Sequence, residues 1–145
     1  MYKHILLPTD GSELSVKASD HGITLAKTVG ATITALIVWK PFRSLVVEPD
    51  FVIAAPDQYN KLIADRTEKY LDIVRNAATA SGVPFNGLRI EHDHPYEAII
   101  DTATKNSCDL IIMASHGLSG VSPVMLGSET LKVLTQSKIP VLVYR

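Results

Sequence analysis

Apolar residues in this chain follow two rhythms. Short unbroken runs at His4-Ile5-Leu6-Leu7-Pro8, Thr32 to Trp39 (TITALIVW), Asp109 to Ala114 (DLIIMA) and Ile139 to Tyr144 (IPVLVY) read as strands buried on both faces of a parallel sheet. Phe85 to Glu91 alternates weakly around Leu88 and Ile90 and carries Asn, Gly, Arg and Glu, which predicts an edge strand. Between these runs the spacing turns helical. Asp10-Gly11-Ser12-Glu13 offers helix-start residues, and Leu14, Ala18, Gly22, Leu25 and Val29 mark a stripe that Gly30 ends. A long helix is expected from Asp57 to Ser81, with Leu62, Arg66, Tyr70, Ile73, Val74 and Ala77 on its stripe and Gly82 and Pro84 beyond it. Pro95 suits the first position of a third helix reaching Asn106, with Glu97 in its first turn, and Ser128 is placed to cap a fourth through Gln136.

Strands alternating with helices predict one α/β domain over residues 1–145: five parallel strands, right-handed crossovers, helices on both faces, a Rossmann-like sheet. The segment from Lys40 to Pro56, with prolines at 41, 49 and 56, is expected to be an irregular excursion. Ligands of such sheets bind beyond the carboxyl ends of the strands, where the strand order reverses.

Composition narrows the function. No apolar run approaches the roughly 18 residues that cross a bilayer, and Met1 to Asp10 has no basic region before a long apolar stretch, so neither membrane nor secretion is expected. The one cysteine, Cys108, sits among apolar neighbours and reads as a small buried side chain in a reducing, cytoplasmic setting. Lys and Arg total 14 against 15 Asp and Glu, with no basic run, which argues against DNA or RNA as partner.

The candidate chemistry lies between the fourth strand and the fourth helix. Ser115 to Gly127 is 13 residues long, where roughly 2 to 6 suffice for such a connection. It holds Gly117 and Gly120 and ends at Gly127-Ser128, where a helix start presents the amides of Ser128, Glu129 and Thr130. Glycines admit close backbone approach and a helix start carries partial positive charge, a combination suited to a phosphate; a plain surface loop has the same glycine content.

The string Ala114-Ser115-His116-Gly117, nine residues, then Gly127-Ser128 resembles the nucleotide-binding signature of universal stress proteins, G-x2-G-x9-G-[ST], with Ala114 in place of the first glycine. Pro8-Thr9-Asp10 and Ile139 to Val143 are similar to that family's opening and closing strands. The resemblance implies ATP or AMP as ligand, with or without magnesium. Asp10, with Thr9 and Pro8, would hold the adenine and ribose side, Val38 would pack on the base, and Met113 and Ala114 would floor the ribose. Gly117, Gly127, Ser128, Glu129 and Thr130 would offer amides and hydroxyls to the phosphates, with His116 holding the turn. It also implies a homodimer through Pro140 to Tyr144, which agrees with an apolar final strand guarded by no charge.

Several residues have a second reading. Asp10 can equally cap the first helix, and a Glu129 carboxylate turned inward would repel a phosphate. His92 and His94 share a strand end as a metal pair lacking a third ligand. The loop lacks the Gly-Lys-[Ser/Thr] of a P-loop, and no Ser, Cys or His forms a recognisable nucleophile and base pair, so any ATP hydrolysis is expected to be slow. The alternative function is a dimeric interaction module of the same fold that binds no nucleotide.

Overall fold

The computed structural model describes residues 1–42, 56–118 and 125–145. Along the chain lie β1 (His4–Pro8), α1 (Glu13–Val29), β2 (Thr32–Trp39), α2 (Pro56–Ser81), β3 (Phe85–Glu91), α3 (Pro95–Lys105), β4 (Leu110–Ala114), α4 (Ser128–Gln136) and β5 (Val141–Tyr144). All strand pairs are parallel, in the order β3-β2-β1-β4-β5. Most of the expected excursion, residues 43–55, lies outside the described residues, as does Gly120.

Alternation along the strands feeds two cores. Ile5, Leu7, Ile33, Ala35 and Ile112 point to the side where α1 and α2 lie and meet Ile23, Ala26, Leu71 and Val74. Leu6, Leu36, Ile111 and Met113 point to the other side and meet Ile99 and Ala103 of α3 and Val133 of α4. Both faces of the sheet are therefore covered, which is why the central strands read as continuous apolar runs.

Two helix stripes differ from expectation. The buried side of α1 is Ser15, Ala18, Ser19, Gly22, Ile23 and Ala26, while Leu14, Leu25 and Val29 flank it. On α2 the buried residues are Tyr59, Thr67, Leu71, Val74 and Ala78, whereas Leu62, Arg66 and Ile73 are exposed. Small hydroxyl residues can turn inward because their polar atoms are satisfied locally: Ser19 Oγ donates to Ser15 O at 2.9 Å and Thr67 Oγ1 to Ile63 O at 2.7 Å. A third correction concerns α4, whose N-cap is Gly127, with Ser128 the first helical residue.

Candidate nucleotide site at the sheet's carboxyl edge

The strand order turns back at β1, which has β2 on one side and β4 on the other. Beyond these carboxyl ends is a cavity of about 270 Å³. All the residues expected at the site line it: Pro8, Thr9 and Asp10 after β1, Val38 from β2, Met113 and Ala114 from β4, and His116, Gly117, Gly127, Ser128, Glu129 and Thr130 from the loop and α4. The sequence reading missed Ser15, Leu36, Pro95 and Ile99, which also line it. Leu36 was findable, being two residues before Val38 and so on the same strand face; Pro95 and Ile99 lie one helical turn apart at the start of α3.

The turn after β1 is held by its own hydroxyls. Thr9 is buried, its amide donates to Leu36 O at 2.9 Å, and its Oγ1 lies 3.0 Å from Ser15 Oγ and accepts from the Gly11 amide at 3.3 Å. Gly11 has φ 80°, and a Cβ there would overlap the Tyr70 ring, so the position demands glycine twice over. Asp10 Oδ1 accepts from the Ser12 amide at 3.0 Å, while Ser12, the N-cap of α1, accepts from the Ser15 amide at 3.2 Å. Asp10 is thus one step removed from the cap. Its Oδ2 accepts from the Leu118 amide at 2.8 Å, pinning the loop that follows β4.

Main-chain bonds hold the loop's ends. The Ser115 amide donates to Tyr144 O at 2.8 Å and the Gly127 amide to Ser115 O at 2.7 Å, so the chain leaves β4 and returns to the same point before α4 begins. Both described signature glycines are needed for these contacts with the protein itself. A Cβ on Gly117 would overlap Asp10 Oδ2, and one on Gly127 would stand 3.2 Å from His116 Cα and 3.3 Å from Ser115 O. His116 Nδ1 lies 3.1 Å from Ser115 Oγ, which places its ring in the turn.

At α4 the first intrahelical bond runs from the Leu131 amide to Gly127 O at 3.0 Å, leaving the amides of Ser128, Glu129 and Thr130 ahead of it. The Thr130 hydroxyl donates to Ala114 O at 2.9 Å and is buried, so what it presents to the cavity is main chain. The Glu129 carboxylate turns toward α3: Oε2 accepts from the Tyr96 amide at 2.8 Å, and Oε1 lies 3.6 Å from Lys132 Nζ. Lys132 Nζ itself stands over the Tyr96 ring, 5.2 Å from its centre.

The His92 and His94 pair takes part in local structure. The His94 amide donates to His92 Nδ1 at 2.9 Å, His92 Nε2 lies 3.9 Å from Glu97 Oε2, and His94 occupies the N-cap position of α3. Among the described residues no group of three or more potential ligand side chains could hold a metal ion. Nor is any described helix long and apolar enough to cross a membrane.

The arrangement can take a ligand with two characters. Leu36 and Val38 from β2 and Ile99 from α3 make an apolar wall, and the start of α4 presents amides with a partial positive charge.

Known proteins of the same build agree with this architecture. Universal stress protein MJ0531 of Methanocaldococcus jannaschii is 31% identical over 147 residues, covering 100% of this chain and 83% of that protein. The solved structure of MJ0577, from the same organism, superposes with a TM-score of 0.83 at 26% identity, covering 99% of this chain and 96% of that one. A universal stress protein solved in complex with cAMP shares the fold, with a TM-score of 0.69 at 23% identity over 99% of this chain and 97% of that one. The sequence model of the universal stress protein family matches residues 1–145, and the chain belongs to that family.

Proposed function

We propose that this protein binds an adenine nucleotide, ATP or AMP with or without magnesium, at the carboxyl edge of its sheet, and acts as a cytoplasmic stress-response regulator rather than a catalyst. The observation that carries the reading is the cavity itself: an apolar wall for a base on the β2 side, and three helix-start amides for phosphate at α4. The solved relative with cAMP supports it at the level of the fold. In this reading Val38 and Leu36 pack on the adenine, Asp10 and Thr9 frame the ribose, Met113 and Ala114 lie beneath it, and the phosphate meets the amides of Ser128, Glu129 and Thr130.

Amides without a cationic clamp favour micromolar affinity or weaker, and without a placed lysine or nucleophile any hydrolysis is slow. The competing reading, an interaction module that binds no nucleotide, draws support from the Ala114 methyl where the signature has glycine. Calorimetry with ATP, ADP, AMP and GTP separates the two. Saturable heat with the adenine series is expected; no binding at millimolar concentration of any of them would leave the interaction module.

The same proposal includes a homodimer. β5 is an edge strand whose Pro140 and Tyr144 carbonyls bond to β4, so the main-chain groups of Val141 and Val143 face away from the sheet. An antiparallel pairing of this strand with its own copy would satisfy them and close as a two-fold.

A further inference from the structure

The charge balance of the cavity is unusual for a site that takes phosphate. Its walls carry two carboxylates, Asp10 and Glu129, and no lysine or arginine among the described residues that line it. The loop from Ser115 to Gly127 contains no lysine or arginine anywhere in its sequence. Each carboxylate is bonded at another helix's entry, Asp10 to the Ser12 amide before α1 and Glu129 to the Tyr96 amide in the first turn of α3. Asp10 therefore offsets the entry of α1 and Glu129 that of α3, while Glu129 also stands in the first turn of α4, so the positive end that α4 offers a ligand, about half an elementary charge, is shared with a carboxylate. Lys132 is drawn out of the site, over the Tyr96 ring and beside Glu129.

The geometry points to a site selective for ligand charge: it takes adenine nucleotides carrying a single phosphate, cyclic or monoester, in preference to the free triphosphate, and Glu129 sets the preference. This rests on the nucleotide reading above and specifies it. One phosphate is matched by three amides and half a charge. Three phosphates bring up to four negative charges past two carboxylates, and no lysine or arginine among the described lining residues compensates them. Magnesium, by neutralising two of those charges, brings the triphosphate partway back.

Glu129→Gln tests this directly, because the glutamine carbonyl can still accept from the Tyr96 amide while the charge is gone. Binding of adenosine, AMP, cAMP and ATP is measured by calorimetry in EDTA, at low and high salt, with a second ATP series in magnesium. Expected for the native protein is tighter binding of AMP or cAMP than of free ATP, and ATP affinity that rises with salt as the repulsion is screened. In Glu129→Gln, free ATP should gain about tenfold, AMP about threefold and adenosine nothing, the steps following ligand charge. Free ATP as the tightest ligand, affinity that falls with salt, or a Glu129→Gln variant that treats all four ligands as the native protein does would each overturn charge selection while leaving nucleotide binding intact. If none of the four binds, adenosine included, the nucleotide reading itself fails. The salt series on native protein decides between these outcomes even if the variant does not fold.

Discussion

Asp10 and Leu118 are joined across 108 positions of sequence by a hydrogen bond of 2.8 Å from the Leu118 amide to the Asp10 carboxylate. The other oxygen of the same carboxylate holds the Ser12 amide at 3.0 Å. One side chain thus fixes the turn after β1 and the loop after β4 relative to each other, and the cavity lies between them.

Replacing Asp10 with alanine should therefore loosen the loop before any ligand is considered. Losing two charge-assisted bonds, one part-buried and one exposed, is expected to lower stability by about 1 kcal/mol. Urea unfolding measures the loss, and hydrogen exchange should show faster exchange at the Leu118 amide.

Gly117→Ala should act through the same bond, since its methyl would displace Asp10 Oδ2. The two substitutions are then expected to be non-additive: the double variant should be little less stable than Asp10→Ala alone. Additive losses would mean that the glycine serves something other than this clasp.

Gly11→Ala combines two faults, a left-handed backbone at φ 80° and overlap with the Tyr70 ring. A loss of about 2–4 kcal/mol is expected, of which adding Tyr70→Ala can relieve only the steric share. Thermal unfolding of the two single variants and the double shows whether the strain and the clash separate in this way.

Burial pushes the Cys108 thiol up to about 11, and the Asp109 carboxylate beside it adds to the shift. The folded state therefore favours the neutral thiol over the thiolate. Its contribution to stability is full below pH 9.0 and is lost as pH rises toward about 11. Burial also raises Tyr59, so Cys108→Ala should flatten only part of the alkaline decline in a pH series of urea unfolding. The native thiol should resist a disulfide reagent until the chain unfolds.

At the proposed dimer edge, Val143→Pro removes only an outward-facing amide and leaves the β4 ladder whole. A folded monomer by light scattering is expected. Lysine at Val141 and Val143 is a harsher version, because Val141 also packs on the α3 and α4 core.

Strand positions were legible because buried parallel strands require unbroken apolar runs, and the ends of α1 and α2 because Gly30 and Gly82 close them. The inward faces of α1 and α2 were legible only in part: Ala18, Gly22 and Val74 of the expected stripes are buried, Gly22 against Leu7. Ser15, Ser19 and Thr67 also go inside, with hydroxyls bonded to backbone carbonyls of their own helix and its cap. Hydrophobic spacing cannot register that arrangement. At the site, Gly117, Gly127, Ser128, Glu129 and Thr130 were legible from the loop's length, its glycines and the helix start, whereas Pro8, Thr9, Asp10, Val38, Met113 and Ala114 were reached only through the resemblance to universal stress proteins. The destinations of Asp10, Glu129 and Thr130 were not legible, since each is decided by a partner remote in sequence: Leu118, Tyr96 and Ala114.

The bond from the Gly127 amide to Ser115 O means that the start of α4 is tied to the end of β4 directly. The Thr130 hydroxyl on the Ala114 carbonyl is a second tie from the same strand end to the first turn of that helix. Two adjacent carbonyls of one strand thus register the helix start against the sheet. A shift of β4 along its neighbours would carry the amides of Ser128, Glu129 and Thr130 with it, so the cavity's two sides move as one piece.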